Sequence, residues 1–180
     1  TAEVAQLQQL GLTLTLCKPC HNTGVRTQWL RGLLDDQNSQ VISKSKYVTY
    51  CFWGIYFLVT SLFGDMWDPA KYYSQPNKFL LVLCDPEQRV VAMAGAEVTR
   101  ESGTVVVHEW RDSVNSNWRG KGIYQAICKC RWALSKQLGA SEAVGMTGNP
   151  AAASVRLKMG YTLKSASLYS RSLSDIEVPK

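Results

Sequence analysis

The residues best suited to chemistry lie in one short run of the second half, Val114-Asn-Ser-Asn-Trp-Arg-Gly-Lys-Gly-Ile-Tyr124. A strand ends, a glycine-rich turn follows, and an amphipathic helix begins at once. Backbone N–H groups at a helix N-terminus have no intrahelical partner and point outward, with the positive end of the helix dipole behind them. Gly120 and Gly122 let an anion approach the backbone closely, and Arg119 and Lys121 add charge. The chemistry that uses such a turn is pyrophosphate binding, and its plain alternative is an ordinary surface turn between strand and helix. In the strand that ends at Val114 stands His108, whose plain alternative role is packing between Val107 and Glu109. A neutral imidazole, with an ordinary pKa of about 6.5, can take a proton from an ammonium group directly or through water. Alternation from Val114 puts His108, Trp110 and Asp112 on one strand face and Glu109 and Arg111 on the other. Glu109 is the competing base if a bulge exchanges the faces.

A second run, Cys17-Lys-Pro-Cys20-His21, has the letters of a haem attachment site but not its context, because no secretion signal is recognisable and the surrounding pattern is α/β. A zinc site would need a fourth ligand, and only His108 or a distant cysteine could serve. We therefore expect no haem and no metal there. The six cysteines (17, 20, 51, 84, 128 and 130) are expected to be reduced thiols of a cytoplasmic protein, and Cys128 and Cys130 point to different faces of their helix.

The elements that must position these residues follow from periodicity. Residues 11–16 alternate polar and apolar, as in a half-buried strand. Asn22 or Thr23 can cap a helix running to about Leu34, where Asp35-Asp36-Gln37-Asn38-Ser39 is expected to break it. Residues 79–84, 89–99 and 104–114, separated by the turns Asp85-Pro86-Glu87-Gln88 and Glu101-Ser102-Gly103, read as a three-stranded antiparallel meander. Ile123, Ile127, Cys130, Leu134 and Leu138 then make one apolar helix stripe, closed by Gly139. A short strand at 142–147, a helix at 149–159 stopped by Gly160, and a last strand at 161–173 complete the order. The fold class is α/β (α+β): a mixed, mostly antiparallel sheet with flanking helices, in one domain spanning 1–180.

Composition narrows the function. Of 180 residues 46% are hydrophobic and 19% charged, which excludes a disordered or low-complexity chain. The net charge of +6 is concentrated late, with 9 basic and 8 acidic residues in 1–100 but 11 and 6 in 101–180. A basic half suits a phosphate-bearing ligand. Without a run of consecutive Lys or Arg, nucleic acid is the weaker partner. Residues 47–64 carry no charge, yet their Tyr, Thr and Gly content fits a buried element better than a membrane span.

The run Trp118-Arg119-Gly120-Lys121-Gly122-Ile123 resembles the acetyl-CoA signature of the GNAT acetyltransferase superfamily. A second block, Asn149-Pro-Ala-Ala-Ala-Ser-Val-Arg-Leu-Lys158-Met-Gly160-Tyr161, is similar to that superfamily's Asn-x-x-Ala…Lys-x-Gly-Phe/Tyr segment, and the resemblance covers about 79–170. It implies central parallel strands splayed at Val114 and Thr147. Acetyl-CoA would enter that cleft, with pantetheine pairing near Val114 and beside Asn149, and pyrophosphate on the amides of Arg119, Gly120, Lys121, Gly122, Ile123 and Tyr124. The resemblance further implies a base six residues upstream of Val114, where His108 falls, and transfer of acetyl to an amine, without a metal; Glu109 takes that role if the strand carries a bulge. Two positions depart from it: Tyr124 replaces a Gly/Ala, and Arg156 replaces the usual proton-donating Tyr. Arg156 leaves a second class open, a non-catalytic acyl-CoA-binding or interaction module. The identity of the amine is not legible, and a homodimer stays open.

Overall fold

The computed structural model describes residues 2–38, 56, 58–147, 149–165 and 167–176. Seven strands form one open sheet: β1 (Thr13–Leu16), β2 (Lys78–Cys84), β3 (Val90–Glu101), β4 (Thr104–Val114), β5 (Glu142–Met146), β6 (Thr162–Leu163) and β7 (Leu168–Ser172), in spatial order β1-β2-β3-β4-β5-β7-β6. Every neighbouring pair is antiparallel except β4–β5, which is parallel. The expected α/β class and mixed, mostly antiparallel sheet are thus observed.

Helices cover both faces. Helix α1 (Ala2–Gln9), α4 (Ile123–Gln137) and α5 (Pro150–Lys158) pack on one face, where Leu7, Ile123, Ile127 and Met159 join Leu81, Leu83, Ala92, Ala94 and Ala96 in one core. On the other face, α2 (Asn22–Asn38) and the short α3 (Pro69–Tyr72) bring Val25, Trp29 and Tyr73 against Leu80, Val82 and Met93. This double cover explains β2, whose Phe-Leu-Leu-Val-Leu-Cys run is buried at every position instead of alternating.

Helix α4 follows its stripe: Ile123, Ile127 and Cys130 are buried, and Gly139 adopts φ +89°, the left-handed conformation that closes the helix. Leu138, at the C-cap, is exposed, so the stripe ends one turn early. Three boundaries differ from expectation. Helix α2 continues to Asn38, because none of residues 35–38 is Gly or Pro and each added residue gains a backbone hydrogen bond. Helix α1 was not legible in Ala-Glu-Val-Ala-Gln-Leu-Gln-Gln, which has too few apolar residues to show a period. The last strand is a hairpin instead, β6 turning into β7 with Lys164 N–H donating to Leu168 O at 2.8 Å. The uncharged stretch 47–64 lies mostly outside the described residues. Among those described, no helix is long and apolar enough to cross a membrane.

The decisive irregularity is a β-bulge in β4. Met93 pairs with Ser113 and Gly95 with Trp110, so Arg111 and Asp112 together face Ala94, and Arg111 takes φ +58°. The extra residue shifts the alternation. Counted from Val114, the bulge therefore exchanges the faces: Glu109 and Asp112 share the face of Val114, under α4 and α5, while His108, Trp110 and Arg111 lie on the other, the reverse of what strict alternation required for residues 108–110.

Candidate active site

The parallel pairing of β4 with β5 runs from Val106 opposite Glu142 to Glu109 opposite Gly145 and stops there, although β4 continues to Val114. From Trp110 onward the β5-facing edge of β4 has no strand partner among the described residues, and a cleft opens. At its mouth, Asn115 to Trp118 form a single 3-10 turn, and Gly120 and Gly122 adopt φ +76° and +74°. Gly122 is the N-cap of α4 and offers no side chain, so the amides of the first turn keep their donors for another acceptor. A Cβ on Gly120 would meet nothing within 4 Å, while one on Gly122 would lie 3.0 Å from Gln6 Nε2 of α1.

Around this turn, Arg119 Nε donates to Val114 O at 3.0 Å, and Lys121 Nζ lies 4.6 Å from the Trp118 ring centroid. Tyr124, the bulky departure from the signature, turns its ring back toward β4 and donates its hydroxyl to Asp112 Oδ2 at 3.1 Å. The site thus accommodates the phenol beside the cleft wall. On the far side, Asn149 caps α5, its Oδ1 accepting from Ala151 N at 2.9 Å and Ala152 N at 3.3 Å. The geometry fits a phosphate at the glycine turn and an extended chain along the β4 edge.

Beneath the cleft lies a buried four-charge cluster that the sequence did not reveal. Glu109 has a fully buried side chain, paired with Arg131 at 2.8 Å and Arg156 at 2.6 Å. Asp112 pairs with Arg131 and, at 3.0 Å, with Arg156. Tyr161 donates to Glu109 Oε1 at 2.6 Å and Trp132 Nε1 donates to the same oxygen at 2.9 Å. Burial opposes ionisation of Glu109, but the two guanidinium groups and the two donors outweigh it and hold its carboxyl below the usual carboxylate range. Burial, with Glu109 beside it, pushes the Tyr161 phenol up. Gly145 is glycine because a Cβ there would lie 2.8 Å from Arg156 Cζ and nearer still to its Nη1. Arg156 is therefore wedged at the base of the cleft, its charge spent on Glu109 and Asp112.

The opposite strand face carries His108 and Trp110, whose rings stack at 6.3 Å. His108 Nε2 lies 2.7 Å from Glu101 Oε1 and 3.0 Å from Thr99 Oγ1. With Nε2–H donating to the Glu101 carboxylate, the Nδ1 lone pair is left to accept a proton. The His108 side chain is 25% exposed, against none for Glu109. Cys17, Cys20, Cys84 and Cys128 are free thiols, and burial followed by Cys20 and Asp68 pushes Cys17 up to about 12. Among the described residues no group of His, Cys, Asp or Glu could hold a metal ion.

This fold is that of the GNAT acetyltransferases. No protein-family model and no curated protein sequence matches the chain. Solved structures do match. One is a GNAT-family acetyltransferase from Staphylococcus aureus, at TM-score 0.65 and 10% identity, covering 91% of this chain and 99% of that one. Another is the PaiA N-acetyltransferase of Thermoplasma acidophilum in complex with coenzyme A, at TM-score 0.64 and 9% identity, covering 89% and 98%. A third, the ribosomal-protein-S5-alanine acetyltransferase of Vibrio fischeri, has TM-score 0.61 and 16% identity over 93% and 96%.

Val114, Arg119, Gly120, Lys121, Gly122, Ile123 and Tyr124 run from the end of β4 through the turn into the first residues of α4, and Asn149 caps α5, which follows β5. The structure separates His108 from Glu109 onto opposite faces. Sequence reasoning missed Glu101, Asp112 and Arg131. Only Arg131, a charge one position beyond the apolar Cys130 of a buried helix, left a signal that could have been found.

Proposed function

We propose that this chain is an N-acetyltransferase that moves acetyl from acetyl-CoA to an amine. The observation that carries the reading is the opening of β4 from β5 beside an uncapped, glycine-lined helix N-terminus. The amides of 119–124 would hold the pyrophosphate, with the α4 dipole behind it, and the β4 edge from Trp110 to Val114 would pair with pantetheine beside Asn149. His108 Nδ1 takes the proton of the acceptor ammonium, while Glu101 holds the ring and stabilises its charge. The neutral amine attacks the thioester carbonyl, the carbon–sulfur bond breaks and the acetyl group becomes an amide, while the second N–H proton passes to the departing sulfur through water, so that CoA leaves as the thiol. Positioning of amine against thioester supplies much of the acceleration. Calorimetry with CoA, followed by a free-thiol assay over a panel of amines, tests the reading. Failure of CoA to bind would remove it.

A second reading, acyl-CoA binding without turnover, is favoured by Arg156. Its guanidinium stands where the resemblance expects a phenol, is always charged, and is committed to Glu109 and Asp112. Tight CoA binding with no amine-dependent thiol release would select it.

A further inference from the structure

The two residues of the β4 bulge carry opposite charges and leave the strand on opposite faces. Asp112 goes to Arg131 and Arg156 under α4 and α5. Arg111 goes to Asp65: its Nε donates to Oδ2 and its Nη2 to Oδ1, each at 2.8 Å, and Nη2 also reaches Ser61 Oγ at 2.8 Å. The pair is nearly buried, with side chains 13% and 11% exposed. The guanidinium lies 5.6 Å from the Trp29 ring centroid, and the Tyr73 hydroxyl donates to Asp65 Oδ2 at 2.7 Å.

These contacts stand against a backbone preference. Arg111 holds φ +58°, which a non-glycine residue keeps only where its surroundings over-determine it. The neighbouring strand leaves little slack. A Cβ on Gly95 would lie 3.0 Å from Trp110 O and 3.2 Å from the Tyr73 hydroxyl, and Gly95 O accepts from Arg131 Nη1 at 3.2 Å. Polar contacts therefore flank the bulge on both faces of the sheet, Asp65 and Tyr73 on one side and Arg131 on the other.

The geometry points to the Arg111–Asp65 pair as a positioning device. It fixes the bulge, and with it the place where β4 leaves β5 and the directions of Trp110 and His108 beside the cleft. The residues around Ser61 and Asp65 are moored against the same strand by the same guanidinium. Arg is required because only its planar fork meets both carboxylate oxygens while also reaching Ser61. The effect on turnover rests on the acetyl-transfer reading; the effect on the strand does not.

The test uses the full chain with Asp65→Asn, Arg111→Gly and, as a destabilised control at the far end of the sheet, Leu173→Ala. Amide hydrogen exchange at residues 110–113 should quicken at least tenfold in Asp65→Asn relative to exchange in β2. Turnover should fall at least tenfold in both Asp65→Asn and Arg111→Gly, with CoA affinity held within twofold. Leu173→Ala should lower Tm and leave kcat near the parent's. Unchanged exchange at 110–113 in Asp65→Asn overturns the assignment, as does full kcat in Arg111→Gly, since glycine satisfies the backbone angle without the clamp. If the parent turns over no amine at all, the acetyl-transfer reading fails, and the exchange measurement alone decides the role of the pair.

Discussion

Removing the Glu109 carboxylate separates a structural acid from a catalytic one. Glu109 neutralises Arg131 and Arg156 at 2.8 and 2.6 Å and accepts from Tyr161 and Trp132, all in a site without solvent. Glu109→Ala leaves two buried guanidinium groups with Asp112 as their remaining carboxylate and Tyr161 without its acceptor. Removing one partner of a buried ion pair costs about 3–5 kcal/mol, against a total stability of about 5–15 kcal/mol for a typical domain. At about 2–4 °C per kcal/mol for a chain of this size, Tm should fall by roughly 6–20 °C. Glu109→Gln is the gentler probe, because its amide oxygen still serves Tyr161 and Trp132 while the charge is gone. Urea unfolding followed by tryptophan fluorescence measures the loss, and turnover is read below the new Tm. The folded variants should retain kcat within a few-fold, since Glu109 lies on the face opposite His108. A stability change under about 1 kcal/mol in both variants would refute the cluster's role. A loss of turnover above about 10²-fold in a stable Glu109→Gln, the size of a general-base contribution, would move the base from His108 to Glu109.

His108→Ala should lower kcat/KM by about 10²–10⁴-fold with CoA affinity nearly unchanged; a variant with the parent's kcat/KM would contradict this. Gly122→Val forces a β-branched residue to φ +74° and drives a side chain at Gln6, so calorimetry should show CoA binding weakened by about 1 kcal/mol or more. The folded Glu109 carboxyl lies below its unfolded value of about 4.3, so its contribution is complete above that pH and is lost as pH falls through the folded value; acid unfolding curves should lose that limb in Glu109→Gln. Thiol titration of denatured, non-reduced protein should count close to six cysteines, and elemental analysis should find no stoichiometric metal.

Much of the architecture was legible because it rests on local rules. The stripe of α4, the helix stops at Gly139 and Gly160, the helix beginning about Asn149 and the meander from Phe79 to Val114 each depend on residues a few positions apart. The glycine turn was legible for the same reason. The face assignment failed at the bulge, which reverses residues 108–110 relative to Val114. Alternation counts positions, and nothing in Glu-Trp-Arg-Asp announces that Arg111 will take φ +58° and set Asp112 beside Glu109. That bulge is decided by partners distant in sequence: Asp65 and Ser61 on one face, Arg131 and Arg156 on the other.

The same distance hid the meaning of Arg156. Beside the family pattern it looks like a missing phenol. In the fold it is the second cation facing buried Glu109 and partly buried Asp112, lodged where Gly145 has no Cβ. Glu109 and Asp112 on one face call for two positive charges beside them, because leaving a charge in that setting unpaired is costly. Arg131 supplies one and Arg156 the other. Tyrosine at 156 would satisfy the resemblance and leave the cluster one cation short. The departure at 156 and the acid at 112 are therefore one feature, and a chain carrying tyrosine at 156 should be stable only if Asp112 is neutral as well. Arg156→Tyr alone should destabilise by about 3–5 kcal/mol, and adding Asp112→Asn should recover part of that loss. A double variant no more stable than Arg156→Tyr would break the link between them.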